Sequence, residues 1–149
     1  MRTIDGIRRS GLGISPDRTI TQAAVLMEKA GVGSLAVIDG DELVGIVTDR
    51  DLVRRGMAAR LSPDARVDSV MSTPVITIDA EADLHGAFTL FRTHAVRRLA
   101  VVRDGQFVGV LSVDDLLIDL ASDLADLARP VTAEIVFGGH HDAVVPAVN

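Results

Sequence analysis

The chain has 149 residues, 48% of them apolar, with no cysteine, tryptophan or tyrosine and a formal net charge of −6. The lack of cysteine excludes disulfides, thiolate metal sites and a cysteine nucleophile. The negative charge disfavours a nucleic-acid partner, because neutralising phosphates needs a basic face. No apolar run approaches the roughly 18 residues of a membrane span. We therefore expect a cytoplasmic protein with no nucleic-acid partner and no membrane insertion.

The first half of the chain alternates between helix and strand signals. After a mixed lead-in, Thr19 is a good N-cap for an amphipathic helix, and Gly31 is a good terminator. A hairpin with Asp and Gly at its turn follows, and a second helix begins after Thr48. Met27, Met57 and Met71 are expected to fill gaps in the core. The predicted elements are a short strand near 12–14, a helix over 20–30, strands over 34–38 and 43–47, and a helix ending near Gly56.

The same order of elements returns from residue 75 onward. Residues 14–53 align with residues 78–117 without a gap, at an offset of 64. Such an alignment across two helices and two hairpins indicates an internal repeat. The matched pairs include Ile14/Ile78, Ala23/Ala87, Leu26/Leu90, Val32/Val96, Leu35/Leu99, Val37/Val101 and Asp51/Asp115.

The repeat predicts the fold class and the division of the chain. We expect an α/β (α+β) protein of two β-α-β-β-α units, packed about a pseudo-twofold axis because each is too small to bury both faces alone. Each unit should have a small three-stranded sheet flanked by two helices. The expected boundaries are a lead-in at 1–11, a first repeat at 12–60, a linker at 61–71, a second repeat at 72–128 and a tail at 129–149.

The C-terminal region extends beyond the repeat. A helix over 114–128 carries leucines on one side, which we expect to cover its own sheet and, in part, a second copy of the chain. Pro130 should stop this helix, and residues 131–137 should form a strand or an extended arm. Residues 138–142 read as a flexible loop. Its adjacent His140 and His141 with Asp142 are too few ligands for a metal ion, so no metal site is predicted.

One motif occurs once in each repeat, at the junction of a strand with a helix. It reads LVGIVTDRD at 43–51 and FVGVLSVDD at 107–115, and each copy follows a strand of LAVI or LAVV type. Motif, spacing and duplication together resemble a tandem pair of CBS domains, the Bateman module, over residues 12 to about 120. The resemblance implies a regulatory homodimer without enzyme activity. It also implies a cleft for an adenosine-containing ligand such as AMP, ADP, ATP, S-adenosylmethionine or NADH.

The chemistry of the motif agrees with such a ligand. A carboxylate one turn into a helix can accept both hydrogens of a ribose diol, and Asp51 and Asp115 hold that position. Thr48 and Ser112 would offer hydroxyl and backbone N–H groups to sugar or phosphate. Arg50, in the first turn, could pair with a phosphate oxygen.

The resemblance adds further ligand residues from the neighbouring strands. Arg97 and Arg98 resemble the basic pair that precedes the second-repeat strand in this family, and they are expected to reach phosphate across the cleft. Adenine would be held by backbone groups and apolar side chains of Leu35, Ala36, Leu99, Ala100, Val75 and Ile76.

The two motif copies are not equivalent. Asp114 stands in the second repeat where Arg50 stands in the first, and an extra carboxylate repels phosphate. We therefore expect the site containing Thr48 to suit a polyphosphate better. The site containing Ser112 should be weaker, specialised or empty.

A simpler interpretation of both motifs stays open. Thr48-x-x-Asp51 and Ser112-x-x-Asp115 are also capping-box sequences, in which hydroxyl and carboxylate only satisfy the helix start. Two other functions follow from that alternative or compete with it. One is a ligand-free structural or protein-interaction scaffold. The other is a nucleotide hydrolase, which is disfavoured because the chain lacks a Walker-type glycine-rich loop and a paired Ser/His or Cys/His arrangement.

Overall fold

The computed structural model describes residues 3–133, with side chains up to residue 129. The chain divides into two units, Met1–Val113 and Asp114–Asn149. The elements are β1 (Arg9–Ser10), β2 (Gly13–Ile14), α1 (Ile20–Ala30), β3 (Ser34–Asp39), β4 (Glu42–Thr48), α2 (Asp49–Asp51, continuing over Leu52–Met57), β5 (Thr77–Asp79), α3 (Leu84–His94), β6 (Arg98–Arg103), β7 (Gln106–Ser112) and α4 (Val113–Ala133).

The first repeat forms a three-stranded sheet in the order β2-β3-β4, with β2 parallel and β4 antiparallel to β3. Helix α1 begins as predicted, because the Thr19 hydroxyl accepts from the Gln22 N–H at 3.0 Å and the Gln22 side chain accepts from the Thr19 N–H at 2.9 Å. It ends at Gly31, whose φ of 67° suits a residue without a Cβ. The buried core of this repeat consists of Ile14, Ile20, Ala23, Met27, Leu35, Val37, Val47, Val67 and Val70.

The second repeat reproduces this register. Ser34 pairs with Thr48 in the first hairpin, and Arg98 pairs with Ser112 in the second, 64 residues later. Both hairpins shift register at the same point, between 37 and 38 and between 101 and 102. The predicted internal repeat is therefore confirmed. The first strand of this repeat, β5, is shorter than the 75–78 predicted and begins at Thr77.

The edge of each sheet is completed by the segment that precedes the other repeat. Strand β1 pairs antiparallel with β7, so the second sheet has four strands in the order β1-β7-β6-β5 where three were predicted. In return, Ser72 bridges Ile46 on β4, with backbone hydrogen bonds of 2.7 and 3.1 Å. We call residues 3–10 and 65–72 the crossing segments. Short periodic patterns cannot reveal them, because each pairs with a partner far away in sequence.

The glycine of each motif allows the crossing segments to approach. A Cβ on Gly109 would clash with the backbone carbonyl oxygen of Arg9. A Cβ on Gly45 would lie 2.5 Å from the Sδ of Met71. Both distances are too short for real atoms, so the glycine is required by close packing of one chain segment over another.

Ion pairs fasten the first crossing segment to the second repeat. The Asp5 carboxylate accepts from the guanidinium of Arg8 and from that of Arg103, each at 2.8 Å. Arg8 also donates to the Val108 carbonyl at 2.7 Å. The two guanidinium groups hold the pKa of Asp5 below its ordinary value, because they stabilise the ionised carboxylate.

Two sequence expectations about helices are wrong. Met57 is 75% exposed instead of buried. After Asp51 the helix widens into π-type turns, in which the Ala58 N–H donates to the Val53 carbonyl five residues earlier, and this wider turn breaks the 3.6-residue pattern.

Pro130 does not stop α4, which continues to Ala133. A proline loses its own N–H bond, but its fixed φ near −65° is compatible with a helix, so neighbouring turns can persist. The residues expected as a strand or arm, 131–137, are thus helical up to 133, and the rest of them, with the loop at 138–142, lie outside the described residues. None of the helices within 3–133 combines the length and apolar character needed to cross a bilayer.

Candidate functional site

A cleft in the unit Met1–Val113 is lined by both repeats and by the chain between them. Its volume is about 170 Å³. Strand β4 contributes the first-repeat wall, the stretch before β5 the second, and the start of β6 the third. The lining residues are Ile46, Thr48, Ser72, Pro74, Val75, Ile76, Val96, Arg97 and Arg98. Five of the predicted site residues, Thr48, Val75, Ile76, Arg97 and Arg98, are therefore brought together here.

The polar wall of the cleft is built around the start of α2. The Thr48 hydroxyl accepts from the Asp51 N–H, and the Asp51 carboxylate accepts from the Thr48 N–H, both at 3.0 Å. The pair is therefore a complete capping box. The Ser72 hydroxyl also lies 3.3 and 3.4 Å from the two carboxylate oxygens of Asp51. Asp51 thus connects the helix start with the second crossing segment.

The basic end of the cleft is formed by Arg97 and Arg98. The backbone of Arg97 is fixed by its carbonyl, which accepts from the Val113 N–H at 2.9 Å. Arg98 is the first residue of β6 and is half-buried, while Arg97 is exposed. Guanidinium groups have the planar donor geometry that matches phosphate oxygens. Two of them at one end of a small cleft make that end suited to an anion.

The remaining wall is apolar and nearly rigid. Pro74 restricts its own backbone, and the Ile76 carbonyl accepts from the Ala100 N–H at 3.0 Å, which anchors this stretch on β6. Together with Ile46 and Val96, these side chains form a surface suited to the flat face of an organic base.

Four predicted ligand residues lie in the core beside this wall. The side chains of Leu35, Ala36, Leu99 and Ala100 are wholly buried. The N–H groups of Ala36 and Ala100 are already bonded to neighbouring strands, at 2.8 and 3.0 Å. In this conformation these residues support the walls of the cleft, and direct ligand contact from them stays a prediction.

The other predicted residues are not among those that line the cleft. Arg50 is exposed, and its N–H donates to the Asp49 carboxylate at 2.7 Å. Ser112 is the last residue of β7. Asp115 lies in the first turn of α4, within the unit Asp114–Asn149.

Sequence reasoning missed Ser72 and Pro74. Neither residue belongs to a motif, and the reciprocal crossing that brings Ser72 to β4 has no local signal. For metal binding, the described part of the chain offers no group of three or more His, Asp or Glu side chains suitable for an ion.

Comparisons with known proteins agree with this geometry. The sequence pattern of the CBS domain matches residues 8–58 and again 67–122. The CBS domain-containing protein YhcV of Bacillus subtilis is 34% identical over 110 residues, which cover 74% of this chain and 79% of that protein.

Solved structures show the same fold. An uncharacterised conserved protein from Pyrococcus horikoshii superimposes with a TM-score of 0.70 at 28% identity, covering 78% of this chain and 90% of that one. A CBS domain protein from Pyrobaculum aerophilum complexed with AMP has a TM-score of 0.68 at 29% identity, covering 82% of this chain and 99% of that one.

Proposed function

Because the chain belongs to the CBS-domain family, we propose that it is a non-enzymatic regulatory module that binds an adenosine-containing ligand in the cleft between its repeats. The observation that carries the proposal is the composition of the cleft, which joins an apolar wall, hydroxyl groups and two arginines. Those three features match a base, a sugar and a phosphate. The relative from Pyrobaculum aerophilum that is complexed with AMP supports this ligand class.

In the proposed complex, the base lies along Pro74, Val75 and Ile76. The sugar faces Thr48 and Ser72, whose hydroxyls surround the Asp51 carboxylate. The phosphate lies at the arginine end. Binding would draw Asp51 from its capping role towards the ribose, as the sequence expectation for this residue requires.

Signalling follows from the way the cleft is assembled. At about 170 Å³ it is smaller than the roughly 300 Å³ at which small-molecule sites usually begin. A nucleotide would therefore bind a widened arrangement of the two repeats better than the present one, and this differential affinity shifts the population.

The second crossing segment offers a route for that shift. Ser72 contacts the ligand cleft and bonds to Asp51, while Arg55 donates to the Met71 carbonyl at 3.0 Å. Both partners belong to α2. A displacement of residues 71 and 72 would consequently move this helix, which carries exposed Val53 and Met57.

The proposal includes a homodimer, to which α4 would contribute. Its leucines recur at 3-4-3 spacing, the a and d positions of a coiled-coil seam. Leu117, Leu124 and Leu127 are 53%, 67% and 72% exposed, and Leu120 completes the row. Such a row suits a second copy of the same helix. A cytoplasmic location and a regulated partner protein stay predictions.

Thermal unfolding tests the ligand. AMP, ADP, ATP, S-adenosylmethionine and NADH are added separately, each in large excess. A ligand at one hundred times its Kd adds about 2.7 kcal/mol to the free energy of unfolding, and so should raise Tm by about 5–10 °C. A ligand-free scaffold predicts no shift with any of them.

A second assay separates a sensor from a hydrolase. Protein incubated with ATP should release no ADP or AMP above the protein-free background. Product formation that scales with protein concentration would replace the regulatory proposal with an enzymatic one.

A further inference from the structure

The cleft has a counterpart 64 residues earlier, related by the internal repeat. Val110 and Ser112 on β7 replace Ile46 and Thr48 on β4. Gly33 and Ser34 replace Arg97 and Arg98. We call this the mirrored cleft. Its backbone is held in the same way, since the Asp49 N–H donates to the Gly33 carbonyl at 3.0 Å as the Val113 N–H does to that of Arg97 at 2.9 Å.

The charges of the two clefts are opposite at this common backbone position. A Cβ on Gly33 would lie 3.2 Å from a carboxylate oxygen of Asp49. An acidic group thus stands beside the residue that corresponds to Arg97, and Val113 corresponds to Asp49 in the other repeat. An anion would be attracted to one cleft and repelled at the other. The mirrored side does carry one cation, Arg9 on β1, against the adjacent arginine pair of the first cleft.

The walls differ as well. Gly11 corresponds to Val75, and the ring of Phe107 packs so closely on Gly11 that a Cβ there would overlap the ring. Leu43 corresponds to Phe107 in the first repeat. The bulky ring therefore occupies the side of the mirrored cleft where Val75 contributes an apolar wall to the first.

We propose that the protein binds one phosphate-bearing ligand per chain, with the phosphate on Arg97 and Arg98, and that the mirrored cleft excludes anions. This inference rests on the proposed ligand cleft and adds its stoichiometry and charge selectivity. The site asymmetry expected from Arg50 and Asp114 thereby acquires a different basis, in Asp49, Phe107 and the arginine pair.

Isothermal titration calorimetry with AMP and with adenosine tests the proposal. AMP should bind with one site per chain. Adenosine, which lacks only the phosphate, should bind about 10- to 100-fold more weakly, the range expected for charge-assisted hydrogen bonds. Two equivalent AMP sites per chain would overturn the inference and leave the proposed function standing. If no adenosine-containing ligand produces heat or shifts Tm, both the inference and the proposed function fail.

Arginine variants locate the phosphate. Arg97→Ala and Arg98→Ala should each weaken AMP binding by about 10-fold or more and leave adenosine binding unchanged. Arg98→Gln serves as a second variant, because it keeps the side-chain length of a half-buried position. Arg54→Ala, which removes an exposed arginine of α2, is the matched control and should change neither ligand. Equal weakening of AMP and adenosine by the Arg97 and Arg98 variants would contradict a phosphate role.

Discussion

Replacing Gly109 with alanine should detach the first crossing segment from the second sheet. The new methyl group would meet the Arg9 carbonyl oxygen and would lie 2.9 Å from a guanidinium nitrogen of Arg8. The carbonyl belongs to the backbone of β1, which pairs with β7 at this residue. Relief therefore requires movement of the strand and not merely of a side chain.

Gly45 provides the matched comparison, because it occupies the same motif position 64 residues earlier. A methyl group there would meet the Sδ of Met71 at 2.5 Å and its Cγ at 2.9 Å. Methionine is flexible and can turn aside. Overpacking usually costs about 1–3 kcal/mol, so we expect about 1 kcal/mol for Gly45→Ala and about 3 kcal/mol for Gly109→Ala. The corresponding losses in Tm are about 2–4 °C and 6–12 °C.

Urea unfolding of both variants measures these costs. Trypsin adds a local readout, since Arg8 and Arg9 lie in the crossing segment and should be cut faster in Gly109→Ala than in Gly45→Ala. If Gly45→Ala destabilises the protein as much as Gly109→Ala, or if the latter is neutral, the argument from backbone clash is wrong.

Three further predictions concern a helix end, an ion pair and the proposed dimer. Ala95 ends α3 with a φ of 52°, so Ala95→Gly should stabilise the protein by about 1 kcal/mol and Gly31→Ala, at the equivalent end of α1, should destabilise it by a similar amount in urea unfolding. Asp5→Asn should lower Tm at pH 7, because the wild-type stabilisation is complete above the ordinary carboxyl pKa of 3.8 and is lost as pH falls through the lower pKa of the folded state. The Tm difference should therefore disappear in more acidic buffers, and a constant difference down to pH 2 would refute the ion-pair explanation. Leu124→Asp should shift sedimentation towards monomer while Ala125→Asp does not, and equal effects of the two would argue against a leucine seam.

The repeated core was predictable because local signals carried it. Thr19 and Asp83 cap their helices as expected, and the alternation of apolar residues placed both hairpins. The offset of 64 residues then predicted that the two hairpins share one register. Each of these inferences depends on residues that are close in sequence, so a single chain is sufficient to make them.

The cleft was only partly predictable, since its walls come from three distant segments. The family resemblance identified Arg97 and Arg98, which line it. No pattern indicated Ser72, because its place depends on pairing with Ile46 across the repeats. The ambiguity of Thr48 and Asp51 is resolved for the described conformation, in which they form a capping box.

The crossing segments bear on how the chain can be divided. A cut between residues 60 and 61 would leave the first fragment carrying the strand that belongs on β7, and the second carrying the bridge that belongs on β4. Each half would then have an unpaired sheet edge and also hold the piece that covers the edge of the other. The two halves are therefore suited to fragment complementation, in which association restores both edges at once.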